Sequence, residues 1–112
     1  MVRGGSLSGG LCDGIQPDEL FDTIVETPGM RIERIVSTGQ VTPKGEWYDQ
    51  DRDEFVLLVT GSARLLIEGE DDERLLGPGD WLLLPAHCRH RVTWTQGLPP
   101  TIWLGVHYAS AP

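Results

Sequence analysis

Cysteine is scarce in this chain: Cys12 and Cys88 are the two thiols in 112 residues. Two thiols so differently placed do not read as a disulfide framework, which excludes the stapled small folds of secreted proteins and agrees with a reducing compartment. Long hydrophobic runs are also missing. No stretch approaches the roughly 20 apolar residues of a membrane span, and Met1-Val2-Arg3-Gly4-Gly5-Ser6 lacks the apolar centre of a signal peptide. Basic residues are few, 9 against 17 acidic, for a formal charge of −8. Such a surface repels phosphates, so neither nucleic acid nor a membrane is an expected partner. With these absences a cytoplasmic home is the expectation.

The length favours one domain. A domain of this size buries only part of its surface, which suits a closed or two-layered sheet around a single core. Residues 1–16 are rich in glycine and serine with little periodicity, and read as a flexible arm. Residues 17–112 form the domain. Pro17 to Phe21 has the proline and acids of a helix start and is expected to make one helical turn. A short strand follows at 23–26. Further strands are expected at 31–37, 46–50, 54–60, 62–68, 72–76, 81–84, 89–95 and 101–108, separated by Gly, Pro and acidic clusters. Short strands at regular spacing indicate an all-β antiparallel sandwich or barrel.

Ala63, Leu65 and Ile67 share one parity, the signature of a half-buried strand. Glu54 to Thr60 is apolar on both parities, so both faces are covered. A second subunit is one such cover, and a homodimer is expected. The strands 54–60 and 62–68 are expected to pair through a tight turn at Gly61, because glycine accepts a positive φ.

The densest stretch runs from Gly77 to Trp94. A Gly-rich turn feeds an apolar run, Pro85 breaks it, and His87 and His90 follow. His90, Val92 and Trp94 share a parity, so His90 is expected to face inward. A buried imidazole needs a partner, since leaving it without one costs about 1–3 kcal/mol. A metal ion or a bound ligand would serve.

With these residues the chain resembles the cupin superfamily, small double-stranded β-helix or jelly-roll barrels. The first cupin motif ends in a Glu, six residues and a Gly, as do Glu54 and Gly61. The second has a Gly, five residues and a Pro, then a His, as do Gly79, Pro85 and His90. The resemblance spans roughly residues 30–108. It implies the fold; activity varies too widely within the superfamily to follow from it.

Metal-binding cupins carry His-x-His shortly before the motif Glu. Here Trp47-Tyr48-Asp49 stands there, and His87 replaces the turn glycine after Pro85. The implied metal set is therefore Asp49, Glu54 and His90, with His107 and His87 as candidates for a further position. Two carboxylates and imidazoles suit a divalent Zn, Mn, Fe or Ni. Asp49 also belongs to an acidic run of the kind usually solvated, and its EF-hand likeness fails because Glu54 and Thr60 occupy the required Gly and Glu positions. His87 reads equally as a surface residue, and His107 as a core histidine beside the small Gly105. Cys88 reads as a plain buried thiol. Trp47 and Trp94 share the parity of the site residues and are candidate walls of a ligand pocket. Three functions remain open: a metal-dependent small-molecule site of oxygenase, isomerase or hydrolase type, a metal-free ligand-binding or sensing barrel, and a structural or accessory protein whose barrel is packed solid.

Overall fold

The computed structural model describes residues 1–110, and all of its regular elements are strands. They are β1 Leu20–Thr27, β2 Met30–Ser37, β3 Asp53–Thr60, β4 Ala63–Ile67, β5 Arg74–Leu76, β6 Trp81–Leu84, β7 His90–Thr95 and β8 Thr101–Tyr108. Two antiparallel sheets result, one ordered β1-β2-β8-β3-β6 and the other β5-β4-β7. No helix among the described residues is long and apolar enough to cross a membrane.

The helical turn expected at Pro17–Phe21 does not form. Leu20 and Phe21 instead pair with Val36 and Ile35 at the start of β1, where a ladder replaces the orphan backbone groups of an isolated turn. The strand expected at 46–50 contracts to a single bridge between Tyr48 and His90. Gly61 is also not the tip of a hairpin. β3 lies in the five-stranded sheet and β4 in the three-stranded one, so Gly61 is the corner at which the chain changes sheets. It turns there at φ +89°, and a Cβ on it would lie 2.5–2.9 Å from atoms of Thr101. Glycine is required for both reasons.

The inner faces carry the core. Val56, Leu58, Ala63, Leu65, Leu76, Leu84 and Trp103 are buried against one another between the sheets. Along β3 and β8 the inward residues change character with distance: Leu58 and Trp103 belong to the apolar end, Glu54 and His107 to the other. The strands are thus apolar at one end of the barrel and polar at the opposite end.

The arm is not detached from this body. Arg34 Nη1 donates to the Leu7 and Gly9 carbonyls at 3.1 and 2.6 Å. Gln16 N donates to Thr38 Oγ1 at 2.9 Å, and Gln40 Nε2 to the Gln16 carbonyl at 2.8 Å. These bonds lay the arm along the sheet.

Candidate functional site

The polar end encloses a cavity of about 560 Å³, open to solvent on one side. Its floor is Val56, Leu65, Leu84 and Trp103, residues of the core cluster or of strands beside it. Its polar wall is built by three neighbouring strands. Glu54 of β3 pairs with His107 of β8, and β2 brings Glu33 opposite Gly105. Their side chains meet because Gly105 has none: a Cβ there would lie 3.3 Å from Glu54 Oε2 and 3.6 Å from Glu33 Cγ.

His107 Nε2 lies between the two carboxylates, 2.9 Å from Glu33 Oε1 and 3.5 Å from Glu54 Oε2. All three residues are buried. Glu54 is 6% exposed, borders the cavity, and takes part in an ion-pair contact without a hydrogen bond of normal length. Burial raises its pKa above the ordinary carboxylate value, Glu33 adds to the rise, and His107 and Arg31 oppose it. Buried carboxyls shift this way because the charged form loses its hydration. Glu19, at the cavity edge, is raised by burial as well, against a hydrogen bond from Ser37.

His90 forms the opposite wall. Its Nδ1 is 2.9 Å from the Cys88 carbonyl oxygen. A carbonyl only accepts, so Nδ1 carries the proton. Burial lowers the His90 pKa, with the Cys88 bond opposing; the neutral ring then offers Nε2 as an acceptor. Tyr48 stacks on this imidazole at 5.4 Å between ring centroids, held by two backbone hydrogen bonds to His90 of 2.7 and 3.2 Å. Burial, then the surrounding glutamates, raise the Tyr48 pKa, so its phenol stays a donor.

Of the residues singled out in the sequence, Glu54, His90 and His107 border one cavity, and four do not. Asp49 and His87 pair with each other at 2.8 Å on the exposed surface, with side chains 46% and 70% exposed. His87 reaches this position at φ 63° in the turn after Pro85, which aims its ring away from the barrel mouth. Trp47 lies under the guanidiniums of Arg89 and Arg91, 5.5 and 5.9 Å from the ring centre. Trp94 faces outward beneath Arg64. Its alternation with His90 is broken by a bulge: Leu65 pairs with Val92 but Arg64 with Trp94, so Thr93 is an extra residue and the inward parity passes to Thr95. A one-residue insertion inverts every later side chain. Reading by alternation missed Glu33, Arg31, Tyr48 and Glu19, all of which border the cavity.

The metal set implied by the resemblance is thereby divided. Asp49 and His87 point elsewhere, His107 Nε2 is engaged by Glu33, and no group of three or more His, Cys, Asp or Glu side chains converges on a metal position among the described residues. In this arrangement the residues do not fit the ion.

No protein-family model matches the chain, and no curated protein does. Solved structures do. A Ralstonia eutropha JMP134 protein provisionally named a mannose-6-phosphate isomerase superposes with a TM-score of 0.93 at 49% identity, over 97% of this chain and 100% of that one. A cupin superfamily protein of Desulfitobacterium hafniense DCB-2 gives 0.72 at 18% identity, over 88% and 84%. An RmlC-like cupin of Methanocaldococcus jannaschii with a double-stranded β-helix gives 0.67 at 13% identity, over 84% and 83%. The last two show the fold alone; the first, at its identity and coverage, carries the relationship itself. With Glu54, Gly61, Gly79, Pro85 and His90 at the motif positions of that barrel, the chain belongs to the cupin superfamily.

Proposed function

We propose that the barrel cavity binds a small carbonyl compound and isomerises it by proton transfer, with Glu54 as the general acid–base. The observation that carries this reading is the Glu54 carboxyl, 6% exposed at the cavity wall, with an ion-pair contact to His107 but no side-chain hydrogen bond, so that its oxygens are free to meet a ligand. A largely desolvated carboxyl of raised pKa in a cleft is the kind of group that acts on a bound ligand. Its raised pKa makes its carboxylate a stronger base than a solvated one.

The atoms balance without an added reactant. Glu54 removes the proton from the carbon next to a carbonyl and returns it to the former carbonyl carbon. The proton on the adjacent hydroxyl moves to the former carbonyl oxygen, accepted and returned by His90 Nε2. Tyr48 donates a hydrogen bond that holds the ligand. The name printed for the Ralstonia protein belongs to the same reaction class, and supports the assignment from outside the chain.

A binding barrel without turnover shares every wall of this cavity, and the outward Asp49 and Trp47 favour it over metal-assisted chemistry. Incubating the protein with aldoses in ²H₂O separates the two. Isomerisation through Glu54 incorporates solvent deuterium at carbon, read by NMR, and Glu54→Gln should lower the rate by about 10²–10⁴-fold, the usual worth of a positioned acid–base group. Binding without deuterium incorporation, or an unchanged rate in Glu54→Gln, removes the isomerase reading.

A further inference from the structure

We infer that the cavity selects uncharged polyhydroxylated ligands, the chemistry of a free sugar, and turns away phosphate esters. The inference rests on the cavity assigned above and does not require that the ligand be turned over. Four carboxylates border the cavity, Glu19, Glu26, Glu33 and Glu54, against a single guanidinium, Arg31. That guanidinium sits among the carboxylates that offset its charge: Arg31 Nη1 lies 3.9 Å from Glu26 and Nε 3.6 Å from Glu33. Neither contact is a hydrogen bond, and the buried Nε is left without a partner, a donor for one ligand oxygen.

Proteins hold phosphate with several Arg or Lys side chains, with a nest of glycine amides, or at a helix N-terminus. None of these borders the cavity. The described residues form no helix, no lysine is among the lining residues, and Gly105 is paired in the ladder of β8. A dianionic phosphate entering here meets one guanidinium whose charge Glu26 and Glu33 already offset, and its own charge opposes ionisation of the buried carboxyls beside it, a cost that an uncharged ligand avoids.

Hydroxyl groups face no such penalty. The protonated form of a buried carboxyl both donates and accepts, and burial moves Glu19 and Glu54 toward that form. His90 Nε2 accepts and Tyr48 donates. The aromatic faces of Tyr48 and Trp103 offer apolar area to the C–H side of a ring. An acceptor-rich wall beside aromatic surface is complementary to a polyol and not to an anion.

The test titrates the full chain with D-mannose and with D-mannose 6-phosphate, following the indole and imidazole NMR signals of Trp103 and His90. D-mannose should shift both signals, and its 6-phosphate should bind at least tenfold more weakly. Glu26→Gln, a change at the exposed rim, should narrow that ratio. Equal or tighter binding of the phosphate overturns the inference, as does a ratio unmoved by Glu26→Gln, or silence of both sugars up to 50 mM. Catalysis is read separately: D-mannose that binds without deuterium incorporation defeats the isomerase proposal and leaves this one standing.

Discussion

At the scale of single residues, Glu54 decides most of what the site can do. Its pKa is raised by burial, so the folded state prefers the protonated acid. Below the ordinary carboxylate value both folded and unfolded chains are protonated and the buried group costs nothing extra. As pH rises through the raised value, the unfolded chain ionises more readily and stability is lost. Glu54→Gln should therefore melt above wild type at pH 7, and the difference should shrink as pH falls through the raised value and vanish below about 4.5, the solvated value; thermal denaturation across that range checks it. The isomerisation rate should move the other way, rising with pH through an inflection above the ordinary carboxylate range, because the base form does the work. His87→Ala supplies the contrast. The residue is 70% exposed in side chain and paired with Asp49 outside the cavity, so stability should stay within about 0.5 kcal/mol and the deuterium-exchange rate should not change. Glu54 and His90 were legible in the sequence because motif spacing and parity agreed on them. Glu33 was not. Ile32, Val36 and Ile35 place apolar groups on both parities of β2, so nothing local says that the face carrying Arg31 and Glu33 is the inner one. Only the pairing of β2 with β8 decides it, by setting Glu33 opposite Gly105 and beside His107.

At the scale of elements, the corners and bulges set the geometry that the strands then propagate. β3 loses register with β8 at Val59, between the pairs Leu58–Trp103 and Thr60–Ile102. Two residues later Gly61 carries the chain into the other sheet at φ +89°. Gly61→Ala forces an L residue into the left-handed region, at a cost of about 1–3 kcal/mol, and drives its methyl into Thr101. Denaturant unfolding should report a loss at or above the upper end of that range, with the site untouched in whatever fraction folds. Gly105→Ala should behave oppositely. Its methyl would sit 3.3 Å from Glu54 Oε2, a distance a carboxylate can yield by tenths of an ångström, so exchange activity should fall further than the melting temperature. The boundaries of β3, β6 and β8 were readable because alternation and turn residues agree there, whereas the strand expected at 46–50 was one too many. The partners of those strands were not, since Gly61 serves a hairpin and a sheet-changing corner equally well. Parity likewise failed at Trp94, because a bulge such as Thr93 leaves no mark in residue type. The arm sits between these cases. Its outer part holds on through two backbone carbonyls that accept from Arg34, and Arg34 keeps its pairing with Asp22 without them. Gln16, with its bonds to Thr38 and Gln40, remains after truncation to Ile15. That truncation should lower the melting temperature by no more than a few degrees.

At the scale of the whole molecule, one face of the barrel is left poorly covered. The inward residues of β3 are Glu54, Val56 and Leu58; Phe55 and Leu57 between them point out from the large sheet. They meet the outward residues of β6 in register, Phe55 beside Leu83 and Leu57 beside Trp81. Phe55 and Trp81 lie 6.0 Å apart between ring centroids, and Trp81 and Leu83 remain 56% and 57% exposed. Val106 of β8 extends the same surface, paired to Phe55. An apolar patch continuous over three strands is more than scattered surface hydrophobics require, and marks a contact. β6 is also the edge of its sheet, with backbone groups free to approach a copy of itself. We propose that two chains bury this face against each other, which answers why β3 is apolar on both parities although one face would suffice for the core. An interface related by twofold symmetry uses the same patch twice, so one substitution acts on both sides. Light scattering of the wild-type chain at micromolar concentration should give about twice the 12.4 kDa of one chain. Leu83→Glu should return it to the single-chain mass while leaving the fold intact, because Leu83 is largely exposed within one chain and its carboxylate would be desolvated only at the interface. The cavity opens at the polar end of the barrel and is bordered by Glu54 and Leu84 but not by Leu83 or Trp81. A monomeric Leu83→Glu protein should therefore still bind D-mannose. A wild-type chain of single-chain mass would defeat the dimer and leave the apolar outer face unexplained by self-association.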